Sequence, residues 1–111
     1  MAIINATLTS SAAAIYTSSG DNAITTIIIC NKSAYVPATP ALNQSLLYLY
    51  AAPSGTVTPT ADNLIVNGLP IPAGETVTFD QEKMVLANGD KIFAKTDSLS
   101  NLVATVSTLA V

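Results

Sequence analysis

The apolar stretches of this chain are strand-length, rich in β-branched residues and interrupted every few residues by Ser, Gly, Pro or Asn, so no segment has the length or the period of an amphipathic helix. Ala2-Ile3-Ile4-Asn5-Ala6-Thr7-Leu8-Thr9 and Ala14-Ile15-Tyr16-Thr17 are the first two such runs. The turn cluster Ser18-Ser19-Gly20-Asp21-Asn22 separates them from Ala23 to Asn31. Inside that third run Ile27-Ile28-Ile29-Cys30 is continuously apolar, which predicts a strand covered on both faces. Ser45 to Ala52 puts Leu47, Leu49 and Ala51 on one face and Leu46, Tyr48 and Tyr50 on the other, again both apolar. Asn101 to Leu109 closes the chain in the same manner.

Proline and glycine place the breaks. Val36-Pro37-Ala38-Thr39-Pro40 cannot be regular strand, because each Pro lacks a donor and restrains its predecessor; residues 32–44 are expected to form a long loop reaching from the body. Pro53 to Thr60 is a second Pro/Thr-rich loop, and Asn63 to Val66 predicts a short strand ended by an Asn67-Gly68 turn. Leu69-Pro70-Ile71-Pro72-Ala73-Gly74 is extended and suits an edge or a crossover. Glu75 to Phe79 alternates polar with apolar. Asn88-Gly89, between Lys83-Met84-Val85-Leu86-Ala87 and Asp90-Lys91-Ile92-Phe93-Ala94-Lys95, predicts a two-residue type I′ hairpin. Seven or eight short strands without a helix predict an all-β chain, a single antiparallel β-sandwich domain over residues 1–111. An immunoglobulin-like or jelly-roll-like arrangement is expected, with a small β-barrel as the alternative.

Composition narrows the function. Charged residues are 10% of the 111 residues, against about a quarter in ordinary domains, while apolar residues make up 50%. Nucleic acid is not an expected partner: the net charge is −3, Arg is absent, and Lys32, Lys83, Lys91 and Lys95 are outnumbered by acids. With no His there is no usual acid–base catalyst, and Lys and scattered carboxylates are the only bases left for the many serines. Asp80-Gln81-Glu82 and Asp90 have the oxygen ligands a hard cation takes but not the spacing of a calcium loop, and they read as strand-end carboxylates. Gly68, Gly74 and Gly89 stand alone at turns and make no phosphate-binding loop. No enzymatic activity, cofactor or metal is expected. Cys30 has no partner for an internal disulfide and is expected to be a buried, unreactive hydrophobe, its replacement by Ser destabilising by about 1–3 kcal/mol. The N-terminus lacks the pattern of a signal peptide, and no stretch reaches the roughly 18 apolar residues of a membrane span, so a soluble protein made in a cytoplasm and not bound to membrane is expected. Asn5-Ala6-Thr7, Asn31-Lys32-Ser33 and Asn43-Gln44-Ser45 match the glycosylation sequon as chance allows in so Asn- and Thr-rich a chain.

Leu69-Pro-Ile-Pro-Ala-Gly-Glu-Thr-Val-Thr-Phe-Asp80, Met84-Val-Leu-Ala-Asn-Gly-Asp-Lys-Ile-Phe-Ala94 and Val103-Ala-Thr-Val-Ser107 together resemble small virion structural proteins of tailed bacteriophages. The upstream Ile15-Tyr16-Thr17 and Ala23 to Asn31 are similar in layout. The resemblance implies a β-sandwich placed in a virion, made in the host cytoplasm, and brings no catalytic residue with it. A decoration or cement protein on the capsid is the expected role, with the major capsid protein as partner and a homo-oligomer on the particle. A neck, tail or baseplate subunit, or a module binding the host surface, is the alternative. Loops 32–44 and 53–63 are the expected contact segments, through Tyr35, Val36, Pro37, Pro40, Pro53, Val57 and Pro59, because stiff, nearly uncharged loops lose less entropy on docking than flexible ones. Most charge falls in residues 75–97, with only Asp21, Lys32 and Asp62 before them; residues 1–74 are therefore expected to lie against other protein.

Overall fold

Period-two patterning decides the architecture, because each run has one face that must leave water. The computed structural model describes residues 2–80, 83–97 and 101–111 and places nine strands among them. They are β1 (Ala2–Thr7), β2 (Ala13–Thr17), β3 (Asn22–Asn31), β4 (Ser45–Ala52), β5 (Leu64–Ile71), β6 (Thr76–Phe79), β7 (Met84–Leu86), β8 (Lys91–Lys95) and β9 (Leu102–Ala110). A single 3₁₀ turn, Ala61–Asn63, precedes β5 and is capped by Thr60, whose hydroxyl accepts from the Asp62 N–H.

All pairings are antiparallel, and they nest. β1 pairs with β9, β2 with β8, β3 with both β6 and β7, and β4 with β5. The chain is thus one long hairpin, with its tip at the 53–63 loop, folded so that alternate strands fall into two sheets. Cross-pairs β3–β9 and β4–β8 complete the orders β1-β9-β3-β6, with β7 also on β3, and β2-β8-β4-β5. If β6 and β7 are taken as one broken strand, this is the strand order of a jelly roll, two Greek keys in two sheets. The immunoglobulin order, in which the first strand does not pair with the last, is excluded. No pairing joins the two sheets among the described residues, so the small barrel is also excluded.

The core lies between the sheets. Ile24, Ile27 and Ile29 of β3 and Leu102, Ala104 and Val106 of β9 meet Leu47 and Leu49 of β4 and Ile92 and Ala94 of β8, all buried. At about 25 cal/mol per Å², a fully buried Leu or Ile contributes about 2–3 kcal/mol, so this cluster outweighs any single polar contact in the molecule. Thr25 is an extra residue between Ile24 and Thr26 in the β3–β9 ladder, and its hydroxyl donates to the Ser107 carbonyl at 3.1 Å. The bulge resets the parity of β3 so that Ile27 and Ile29, not Ile28, point inward.

Several sequence expectations fail for identifiable reasons. Asn67-Gly68 is not a turn: β5 runs through it, and Gly68 at φ +75° is the extra residue of a bulge between the Leu47–Leu69 and Tyr48–Asn67 pairs. Pro70 does lie on an edge strand, where its missing N–H faces no neighbour. Asn88-Gly89 does not close a hairpin either, because β7 and β8 belong to different sheets. The Asp90 N–H donates to the Ala87 carbonyl at 3.1 Å with Gly89 at φ +88°, while Asn43 is the one non-glycine with positive φ among the described residues. A type I′ turn needs positive φ at Asn88 as well, so the turn is of the kind with glycine third. What overrides the local signal is a neighbouring turn: Gly89 N–H donates to the Ser18 carbonyl, Ser18 N–H to the Asp90 carbonyl, and Gly20 N–H to Asn88 Oδ1.

Candidate functional site

Strand parity gives the β1–β9–β3–β6/β7 sheet a second face, directed away from the core. Its rows read Thr7–Val103–Cys30–Thr76, Asn5–Thr105–Ile28–Thr78, Ile3–Ser107–Thr26 and Leu109–Ala23–Val85. The strands that build it contain no Asp, Glu, Lys, Pro or Gly. Ile3 (70% exposed), Val85 (69%) and Leu109 (44%) are open to solvent there. Isolated apolar residues on a surface need no explanation, but a whole sheet face without charge is unusual. The other sheet differs: β8 carries Lys91 and Lys95 on its outer side, the Lys95 ammonium 4.8 Å from the Tyr48 ring centre.

The apolar run Ile27 to Cys30 is explained by this face. Ile27 and Ile29 are buried, whereas Ile28 and Cys30 point outward and are only half-buried. Cys30 is therefore not the buried residue expected, because the bulge at Thr25 sets it on the outer side. Nor is β3 covered on both faces within one chain. The uncharged surface follows the sheet and not the sequence: it draws on β9 and β6 as well as the first half of the chain.

The sequence-predicted contact residues fall into two groups at opposite ends of β4, which over eight residues spans roughly 26 Å. Tyr35 (52% exposed), Val36, Pro37 and Pro40 lie in loop 32–44 at one end; Pro53, Val57 (86% exposed) and Pro59 lie in loop 53–63 at the other. The structure does not bring the two groups together. The molecule is 48 Å long, more than its ten-residue longest strand covers at about 33 Å, so the end loops extend beyond the sheets.

Loop 32–44 is a series of turns, Thr39 N–H donating to the Val36 carbonyl, Leu42 N–H to Thr39 and Gln44 N–H to Ala41. Its two ends are held by Asn31, which is 1% exposed. The Asn31 amide donates to the carbonyls of Asn43 at 2.8 Å and Ile71 at 2.9 Å, and its Oδ1 accepts from the N–H and hydroxyl of Ser33. Burial takes this Asn out of its sequon and makes it the clasp of the loop. The sequence offered no sign of that role, since the bonds to Asn43 and Ile71 join positions far apart in the chain.

Loop 53–63 is tied at its base to the start of β8. Ser54 N–H donates to the Asp90 carboxylate at 3.0 Å, and the Lys91 ammonium donates to the Thr56 carbonyl at 3.0 Å. Tyr50, Ala52 and Phe93 form a small outer cluster with Ala12, Tyr48 and Leu64. Tyr48 and Tyr50 are packing residues on one strand face, as their spacing suggests.

One side of the sandwich is open. Between the edge strands β5 and β6/β7 lies an apolar cleft of about 380 Å³, lined by Ile65, Val66, Phe79 and Met84 over a floor of Ile24, Ile27 and Leu49. Of the Asp80–Glu82 run, Gln81 and Glu82 lie outside the described residues. Among the described residues no three of Cys, Asp and Glu gather as a metal site, and no helix is long and apolar enough to cross a membrane.

The chain matches no family model, no curated protein and no solved structure. The functional reading therefore rests on surface chemistry and fold.

Proposed function

We propose that this chain is a non-enzymatic structural subunit of a bacteriophage virion, a decoration or cement protein that lies across joints of the capsid shell. The single observation that carries the reading is the uncharged outer face of the β1–β9–β3–β6/β7 sheet, with Ile28 and Cys30 half-buried in it. A β-branched, charge-free strand interior belongs between two layers, and the chain supplies only one of them. A protein surface is the layer that fits, since Thr and Asn hydroxyl and amide groups hydrogen-bond across an interface while Ile, Val and Leu lose their contact with water. Jelly-roll order is shared with viral capsid domains, lectins and cupins, an analogy of fold.

Cementing requires many copies of a modest contact, because avidity over a lattice multiplies individually weak interfaces. The exposed loop residues Tyr35 and Val57, in the loops at opposite ends of β4, suit contacts to two different neighbours. The stoichiometry of the protein in purified virions tests the assignment. A copy number that scales with the capsomers supports a shell protein; one ring's worth of copies assigns the neck, tail or baseplate, and absence from the particle contradicts the reading altogether. A Thr78→Lys variant, which places a charge on the uncharged face beside Ile28, is expected to fold normally and fail to incorporate.

A further inference from the structure

Each sheet has two edges, and three of the four are blunted. β5 carries Pro70 and bulges at Ile65 and Gly68. β2 is short and bulged at Ile15. The opposite edge of the uncharged sheet is broken between β6 and β7, where the Lys83 ammonium donates to the Thr25 and Asp80 carbonyls. Prolines, bulges, lysines and short strands are the devices that keep edges from pairing with other chains. β1 has none of them: Ala2 to Thr7 is in unbroken register with β9 and contains neither charge nor Pro.

We propose that β1 is a homodimerisation edge, pairing antiparallel with β1 of a second copy about a twofold axis at Asn5. The ladder fixes which backbone groups are available. Leu8 N–H donates to the Leu102 carbonyl at 2.9 Å, so in the β1–β9 ladder the even-numbered residues turn their main chain to β9. The N–H and C=O groups of Ile3, Asn5 and Thr7 face the open edge. With Asn5 opposite the second copy's Asn5, Ile3 falls opposite Thr7 and Thr7 opposite Ile3, and every one of these groups is paired. A residue on such an axis meets itself, so a charge there repels its own copy, whereas an amide is both donor and acceptor and is self-complementary. The Asn5 amide is already held on the outer face, its Oδ1 accepting from the Thr105 hydroxyl at 3.0 Å. On the inner side Ile4 comes opposite the second copy's Ala6, and both are half-buried residues packed against the main core, which the pairing extends from one copy to the next. The two uncharged outer faces become one surface.

The inference does not depend on the virion reading, because it is tested on the purified chain. Sedimentation and native mass spectrometry over a concentration series are expected to show a dimer. Asn5→Pro removes from the main chain only an N–H that faces the open edge, together with the side-chain amide on the proposed axis, and Ile3→Lys puts an ammonium beside it; each is expected to abolish the dimer with the far-UV circular dichroism unchanged. Ile65→Lys, on the far side of the sandwich, is expected to leave it intact. Amide exchange at Ile3, Asn5 and Thr7 is expected to be slow in the dimer and fast in Ile3→Lys. A wild-type chain monomeric throughout the series, or a dimer that survives both Asn5→Pro and Ile3→Lys, overturns the proposal. So does a monomer that instead takes up an extended peptide of another protein along β1.

Discussion

Asn31 and Ser45 are both buried polar residues, yet their energetics point in opposite directions. Asn31 satisfies all of its side-chain donors and acceptor, so Asn31→Ala strands the Asn43 and Ile71 carbonyls and is expected to cost about 2–4 kcal/mol in urea unfolding. Ser45 Oγ is buried and has no hydrogen-bond partner among the described residues. Ser45→Ala is therefore expected to be neutral or stabilising by up to about 1 kcal/mol, and a loss larger than that contradicts the assignment. Gly89 is held by two independent constraints. Its φ of +88° is strained for any other residue, and a Cβ there would lie 2.4 Å from Ser54 Oγ. Gly89→Ala is expected to cost about 1–3 kcal/mol, and adding Ser54→Gly is expected to recover only the steric share. None of the three roles was legible in the sequence. Asn31 looked like a chance sequon and Gly89 like half of a hairpin, because the partners that define them, Ile71, Ser18 and Ser54, are remote in the chain.

At the scale of elements the sequence was more informative. The bounds of β4 follow directly from its continuous apolar run, and the edge position of β5 follows from Pro70. Period two is a local property and survives folding. Bulges are where the reading broke down: one extra residue at Thr25 decides that Cys30 faces outward, and Gly68 is absorbed into a strand instead of ending it. Cys30 then becomes a reporter of the uncharged face. In the free protein its thiol is expected to react at a measurable rate, slower than in the unfolded chain and faster than a core cysteine. In the assembled particle the reaction is expected to stop. Cys30→Ser, at a half-buried position, is expected to cost less than about 1 kcal/mol. A loss as large as a core substitution would place the thiol inside the sandwich and contradict the parity assigned to β3.

For the whole molecule, the nested pairing of first strand with last makes most contacts distant in sequence. Folding on a timescale of milliseconds to seconds is expected, as for other β-sandwiches, and a microsecond refolding phase accounting for the full amplitude contradicts the pairing order. All-β class and sandwich architecture were legible because strand-length runs and Pro/Gly breaks allow little else; the jelly-roll order was not, since it depends on which distant strands meet. Surface chemistry was only partly legible. Loops 32–44 and 53–63 are exposed, but they lie at opposite ends, and the uncharged surface is a sheet face no linear segment reveals. The central claim is that this face is covered by another protein in a virion. Electron cryomicroscopy of intact particles tests it most directly. The account predicts density for this chain on the capsid with the rows through Cys30, Ile28 and Thr105 pressed against neighbouring protein; a particle that lacks the chain, or holds it with that face bare to solvent, contradicts it.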